Sequence, residues 1–90
     1  MTAQGVFVVK NKLGLHARAA AKLTQLAARF PCDITISRAG QSADAKSVMG
    51  VLLLCGAIGT ELEIQATGDR ADEAVREIGA LIDARFGEGE

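Results

Sequence analysis

The only histidine in the chain, His16, lies where phosphate chemistry is physically favoured. It follows a glycine-containing loop, Asn11 to Leu15, and precedes a segment with helical periodicity. The first turn of a helix has backbone N–H groups without partners, and the helix dipole favours anions there. The same positive potential disfavours a protonated imidazole, so a ring nitrogen is expected to keep its lone pair. A neutral imidazole is a competent nucleophile toward a phosphoryl group.

Basic side chains surround this histidine in the sequence. Arg18, two residues further on, can present a forked donor to phosphoryl oxygens or be a solvated residue of the first helical turn. Lys12 and Lys22 would add a diffuse positive field. The histidine itself could also serve only as a helix cap. This local pattern therefore leaves phosphoryl chemistry and plain capping both open.

The periodicity of the chain predicts seven elements that would position these residues. Strands are predicted over Val6 to Lys10, Cys32 to Ser37, Gln41 to Ala43 and Thr60 to Ala66, and helices over Ala17 to Phe30, Ser47 to about Leu54, and Ala71 to about Phe86. Two strands alternate between apolar and polar residues, which favours an antiparallel sheet with one wet face. The predicted fold class is α+β, with the order β-α-β-β-α-β-α: a four-stranded antiparallel sheet covered on one face by three helices.

The middle helix carries two further features. Ser47 stands in the N-cap position, where its oxygen would accept a hydrogen bond from the helix. The residues that follow are apolar nearly all round: Val48, Met49, Val51, Leu52, Leu53 and Leu54. A short helix on an open sheet cannot bury every face, so some of them should be exposed. Loose core packing and a protein-docking patch beside His16 both fit this pattern.

Length and composition exclude several classes of protein. Ninety residues suit a single domain over 1–90, and residues 86–90 are predicted to be a flexible polar tail. Aromatic residues make up only 3%, which disfavours a nucleic-acid platform. No apolar run approaches the roughly 20 residues of a membrane span. The N-terminal residues do not resemble a secretion signal, so we expect a cytoplasmic protein without membrane insertion.

The cysteines and charges add two weaker indications. Cys32 and Cys55 form no zinc motif, so no metal site is predicted, and both thiols are expected to be reduced and buried. The net charge is −1, but residues 1–50 carry seven basic and two acidic residues, whereas residues 51–90 carry three basic and nine acidic. Either folding brings the charges of the two halves together, or an anionic ligand or an acidic partner surface binds the first half.

Two segments resemble the signatures of a known family. Asn11-Lys12-Leu13-Gly14-Leu15-His16-Ala17-Arg18 is similar to the active-site signature of the HPr phosphocarriers, which belong to the bacterial phosphoenolpyruvate-dependent phosphotransferase system. Ala45-Lys46-Ser47-Val48-Met49-Gly50 resembles the family's second signature. The resemblance covers nearly the whole chain and implies an open-faced β-sandwich of four antiparallel strands and three helices.

The resemblance implies a role for each matched residue. His16 would be transiently phosphorylated on Nδ1, and Arg18 would steady the phosphoryl group with the backbone N–H groups of Ala17 and Arg18. Such a protein is a carrier and not a turnover enzyme, and it needs no cofactor. Position 19 is alanine where the family usually has proline. That change should loosen the helix start slightly but removes no group that touches phosphate.

The resemblance also implies partners. The phosphoryl donor would be enzyme I, the acceptors EIIA-type proteins or domains, and the carrier itself is expected to be a monomer. By family analogy, Ala21, Val48, Met49 and Leu52 would contact these partners. In part of the family the serine that matches Ser47 is phosphorylated by an HPr kinase/phosphorylase. Three alternatives remain: the nitrogen-branch carrier NPr, a binding module that kept only the fold, and a nucleic-acid binder, which the composition disfavours most.

Overall fold

The computed structural model describes residues 1–89 of the chain. The elements are β1 (Thr2–Val8), α1 (Ala17–Ala27), β2 (Asp33–Arg38), β3 (Gln41–Asp44), α2 (Val48–Leu53), β4 (Glu61–Thr67), α3 (Ala71–Asp83) and a 3-10 helix (Arg85–Gly87). The four strands, the three α-helices and their order match the sequence-based prediction, and the 3-10 helix is an additional element.

The four strands form one antiparallel sheet in the order β1-β4-β2-β3. Along β4, Leu62, Ile64 and Ala66 are buried while the residues between them are exposed. The three helices cover the buried side, and the opposite side of the sheet faces solvent. The predicted open-faced antiparallel architecture is confirmed.

The core lies between the sheet and helices α1 and α3. In α1, Ala20, Leu23 and Ala27 recur at helical spacing and are fully buried. In α3, Ile78 and Ile82 also recur at helical spacing and are completely inaccessible. Each such Leu or Ile side chain contributes about 1.5–3 kcal/mol through removal from water. This packing fixes α1, and the residues at its start, against the core.

Several boundaries differ from the prediction: β1 differs at both ends, α1 ends at Ala27, and α3 ends at Asp83 and not near Phe86. Strand β1 starts at Thr2 and ends at Val8, because it pairs residue by residue with the whole of β4, from Thr2 opposite Thr67 to Val8 opposite Glu61. Helix α1 ends at Ala27, since the following turn closes with bonds such as that from the Phe30 N–H to the Ala27 carbonyl at 3.1 Å. This tighter turn buries the Phe30 ring ahead of Pro31.

The C-terminal segment and one cysteine depart from expectation. Phe86 is fully buried, and Glu88 accepts a hydrogen bond from Asn11, so these two residues of the predicted tail contact the rest of the fold. Glu90, the last residue of that predicted tail, lies outside the described residues. Cys32 is buried as expected, but Cys55 is exposed, because it adopts a left-handed conformation (φ 53°) that turns the chain away from α2.

Candidate phosphoryl-transfer site

The loop before His16 is fixed by hydrogen bonds at both ends. The Gly14 N–H donates to the Asn11 carbonyl at 3.2 Å, and the Asn11 side-chain amide donates back to the Gly14 carbonyl at 2.8 Å. The Leu15 N–H donates to the Gly56 carbonyl at 2.8 Å. Gly14 has a φ of +66°, and a Cβ there would collide with that same Gly56 oxygen. Only glycine therefore allows the loop to pass this close to the segment after α2.

His16 is the N-cap residue of α1, as its position in the sequence predicts. Its backbone is extended (φ −76°, ψ 176°), and its Nδ1 accepts a hydrogen bond from the Arg18 N–H at 3.3 Å. The first turn of α1 contains no acidic residue, so nothing there neutralises the positive end of the helix dipole. The side chain remains 26% exposed. The arrangement gives a partly accessible imidazole with a nitrogen lone pair beside backbone N–H donors.

Arg18 is exposed and lies at the rim of this centre. Together with Lys12, Leu13, Glu88 and Gly89 it lines an open depression beside the first turn of α1. Ala19, which replaces the family's usual proline, is completely buried. The next residue makes the ordinary helical bond, from the Ala20 N–H to the His16 carbonyl at 2.9 Å. The helix thus starts regularly without the proline.

Sequence reasoning did not find the third group at the histidine, which is Glu88. One carboxylate oxygen accepts from the Asn11 side-chain amide at 2.9 Å, and the other contacts His16 Nε2. These two hydrogen bonds, that from Asn11 first, hold the pKa of the Glu88 carboxyl below its ordinary value. Glu88 is 72 residues away from His16 in the chain, and no local pattern marks it. The buried Asn11 lies within the predicted loop but was not singled out.

Ser47 caps α2 as predicted. Its hydroxyl accepts a hydrogen bond from the Gly50 N–H at 3.1 Å, which satisfies one donor of the first turn. Helix α2 packs against α1. The hydrogen bond from the Leu15 N–H brings Gly56, after α2, beside the start of α1, whereas Lys46, just before the cap, donates to the Phe30 carbonyl beyond the end of α1.

The apolar surface of α2 is partly exposed, as its pattern predicts. Met49 is 67% exposed and Val48 37%, whereas Leu52 and Ala21 are partly buried. Two further residues, Leu53 and Leu13, are about as exposed as Met49. We call Ala21, Val48, Met49 and Leu52 the apolar patch. Leu13 adds a separate exposed apolar side chain in the loop that ends at His16.

Two kinds of site are not found in the described part of the chain. Among residues 1–89, no group of three or more His, Cys, Asp or Glu side chains could hold a metal ion. No helix formed by these residues is long and apolar enough to cross a membrane.

Comparison with known proteins gives this geometry a context. Residues 3–84 match a family model described as the PTS HPr component phosphorylation site. The chain belongs to the HPr family. It is 52% identical to the phosphocarrier protein HPr of Cupriavidus necator over 80 residues, which cover 89% of this chain and 90% of the relative. It is 47% identical to the phosphocarrier protein NPr of Shewanella violacea over 78 residues, covering 87% and 86% of the two chains.

The fold of this HPr family member also matches solved structures. A crystal structure of an HPr from Thermoanaerobacter tengcongensis superimposes with a TM-score of 0.94 at 35% identity, covering 98% of this chain and 99% of the other. The protein is accordingly a phosphocarrier of the phosphotransferase system, a family that carries a transient phosphoryl group.

Proposed function

We propose that this HPr protein accepts a phosphoryl group on His16 Nδ1 from phosphorylated enzyme I and passes it to EIIA-type acceptors. The observation that carries the proposal is the position of the ring. Its Nδ1 lone pair is held at the N-terminus of α1, within hydrogen-bond distance of the Arg18 N–H. A carrier of this kind is a substrate and donor in transfer reactions, and it does not turn over a substrate by itself.

The transfer step needs few groups from this chain. The Nδ1 lone pair forms a bond to phosphorus while the bond between phosphorus and the donor breaks, and its electron pair leaves with the donor. The Arg18 N–H, released from Nδ1, and the N–H of Ala17 are then available to phosphoryl oxygens. The exposed Arg18 guanidinium can approach the same oxygens in a forked arrangement. Donor and acceptor proteins supply the remaining catalytic groups.

The apolar patch is proposed as the surface on which both partners dock. Its exposed side chains are carried by α2, which packs against α1, the helix that His16 caps. A carrier has to dissociate after each transfer, so a small patch with weak, rapidly exchanging contacts suits the role. We place the protein in the cytoplasm as a monomer, where its donor and acceptors can reach it by diffusion.

Ser47 is proposed as a regulatory phosphorylation site for an HPr kinase/phosphorylase. Its hydroxyl is partly accessible and already accepts a hydrogen bond from the Gly50 N–H. A phosphoserine oxygen could keep that role while adding negative charge beside Val48 and Met49. Regulation would then act through the docking surface and not through unfolding. Ser47→Asp should weaken binding to enzyme I while Ser47→Ala leaves it unchanged, and equal affinities for both variants would contradict the role.

The decisive experiment is intact-protein mass spectrometry after incubation with phosphoenolpyruvate and a catalytic amount of enzyme I. We expect a gain of one acid-labile phosphoryl group in the natural protein and none in His16→Ala. Ser47→Ala serves as the matched control, because it removes a different candidate site and should still gain the group. An acid-labile phosphoryl group on His16→Ala would overturn the assignment.

A second candidate is the nitrogen branch of the system. The chain is 47% identical to an NPr protein, against 52% to an HPr, and the site on α1 would work in the same way in either branch. Parallel assays with sugar-branch and nitrogen-branch enzyme I separate the two. The donor that gives the higher kcat/KM identifies the branch, and failure with both would leave a module that kept only the fold.

A further inference from the structure

Glu88 lies outside residues 3–84, which carry the family match, yet it is the only side chain described as bonding to the ring of His16. Its carboxylate lies between two donors, the Asn11 amide at 2.9 Å and the Nε2 edge of the His16 ring. Asn11 is itself completely buried and tied to the Gly14 carbonyl at 2.8 Å. The carboxylate is therefore held by the same loop that positions the histidine.

The segment that delivers Glu88 is anchored and not a loose end. Arg85, Phe86 and Gly87 all have positive φ, at 57°, 55° and 79°, and so reverse the chain after α3. The Phe86 side chain is fully buried. The Phe86 carbonyl accepts a hydrogen bond from Lys22 Nζ of helix α1 at 2.7 Å. The buried Phe86 ring and the hydrogen bond from Lys22 fix the chain just before Glu88, whose side chain contacts the histidine.

The two contacts of the His16 ring define where its proton lies. Nδ1 accepts from the Arg18 N–H, so Nδ1 carries the lone pair. In a neutral imidazole the other nitrogen then carries the hydrogen, and Nε2 donates it to the Glu88 carboxylate. The carboxylate and the helix N-terminus act on opposite edges of the ring. Together they select the tautomer in which the nucleophilic nitrogen is Nδ1.

We propose that Glu88 is a positioning residue for phosphoryl transfer at His16, holding Nε2–H so that Nδ1 is the nucleophile and stabilising the charged ring once Nδ1 is phosphorylated. The inference rests on the proposed function. When the Nδ1–P bond forms, Nε2 keeps its proton and the ring becomes positively charged next to the carboxylate. When the group is passed on, the Nδ1–P electron pair returns to the ring, which leaves as neutral imidazole with Nε2–H in place. No proton has to move in either direction.

The contact also explains why a carboxylate and not an amide is needed. Two donors, Asn11 Nδ2 and His16 Nε2, face two acceptor oxygens. A glutamine at position 88 would match the size of the side chain but would present one acceptor and one donor. Glu88→Gln therefore breaks one of the two bonds and removes the charge, while the aromatic anchor at Phe86 is kept.

The first test is made on the unphosphorylated protein and needs no partner. Long-range ¹H–¹⁵N spectra recorded at pH 8.5 report which ring nitrogen of His16 carries the hydrogen. We expect a protonated Nε2 and an unprotonated Nδ1 in the natural protein, a smaller difference between the two shifts in Glu88→Gln, and the smallest difference in Glu88→Ala. Glu63→Gln, which removes a carboxylate from the open face of the sheet, is the matched control and should leave both shifts in place. Ring shifts in Glu88→Gln identical to those of the natural protein would overturn the proposal.

The second test measures transfer itself. Without the Glu88 contact the positively charged phosphorylated ring loses its stabilisation, so we expect phosphoryl acceptance by Glu88→Gln from phosphorylated enzyme I to be about three- to tenfold slower. Spontaneous hydrolysis of its phosphohistidine at neutral pH should be faster than in the natural protein. A natural protein that accepts no phosphoryl group overturns the proposed function and this role with it. If the natural protein is phosphorylated but Glu88→Gln changes neither the transfer rate nor the ring shifts, only the role of Glu88 is overturned.

Discussion

Helices α1 and α2 both begin with a side chain that accepts a hydrogen bond from the first turn, but the two caps differ in what supports them. Ser47 needs only its own helix, since its hydroxyl reaches the Gly50 N–H at 3.1 Å. His16 makes a longer bond of 3.3 Å to the Arg18 N–H and is held on its other edge by Glu88. Serine is a preferred N-cap residue and histidine is not. The Ser47 cap stabilises a helix, whereas the His16 cap, in the proposed function, holds a nucleophile that leaves its hydrogen bond when it reacts.

The largest effect on phosphorylation should come from replacing His16 with serine, which gives α1 the same N-cap residue as α2. His16→Ser gives α1 a preferred N-cap but removes the imidazole. We expect complete loss of the acid-labile phosphoryl group, while the free energy of unfolding changes by no more than about 1 kcal/mol. Intact mass and urea denaturation measure the two quantities. Acid-labile phosphorylation of this variant would show that the cap of α1 is not the reacting group.

The next effect concerns the charge beside the His16 cap of α1. Arg18→Ala should slow phosphoryl acceptance by about 10- to 100-fold, because a charge-assisted hydrogen bond to the phosphoryl group is lost. Arg18 is exposed, so the free energy of unfolding should change by less than about 0.5 kcal/mol. Arg29→Ala is the control: it makes the same charge change at an exposed position beyond the other end of α1. Equal slowing in both variants would indicate a general effect of net charge.

The third prediction tests whether the α1 cap depends on distant support. Gly14→Ala places a Cβ against the Gly56 carbonyl at a left-handed φ, and should cost about 3 kcal/mol of stability and slow phosphoryl acceptance. Gly40→Ala is the control, because its φ is also positive but no atom lies within 4 Å of the added carbon. It should cost only about 1–2 kcal/mol. If thermal or urea unfolding shows that Gly14→Ala and Gly40→Ala lose equal stability, the close approach at Gly14 does not explain the loss.

The α2 cap should have an ordinary structural value. Ser47→Ala is expected to lower the free energy of unfolding by about 1 kcal/mol, since the Gly50 N–H loses its partner. Ser47→Asp retains an acceptor at the same place and should lose less. Urea denaturation of both variants gives the comparison, and a larger loss for Asp would mean that the cap does not explain the effect.

The smallest effect should appear at acidic pH. Hydrogen bonds from Arg70 and from Asn11 hold the pKa values of Glu73 and Glu88, respectively, below the ordinary value of a glutamate. Because the folded pKa values are depressed, both contacts stabilise the protein above about pH 4.3 and lose this contribution as the pH falls through the folded values. Glu73→Gln and Glu88→Gln should each flatten the decline of the unfolding free energy below that pH. Slopes as steep as that of Glu63→Gln would contradict both contacts.

The sequence predicted what local signals determine. The alternation of β4, the apolar stripes of α1 and α3, and the two caps follow from spacing within a few residues, and all are confirmed. The first half of β1 has no such signal, because its strand structure comes from pairing with β4. The contact between Glu88 and His16 was missed for the same reason, since only the tertiary fold brings residues 72 positions apart together.

The exposed thiol of Cys55 has a practical consequence for handling the protein. Of the two cysteines, Cys32 is buried and Cys55 is at the surface just after α2. A bulky maleimide dye should therefore label one position, near the apolar patch, and report partner docking through its fluorescence. The same thiol can join two molecules through a disulfide in an oxidising buffer. Measurements of molecular mass should therefore be made with a reductant present, since a dimer formed without one would reflect thiol oxidation at Cys55.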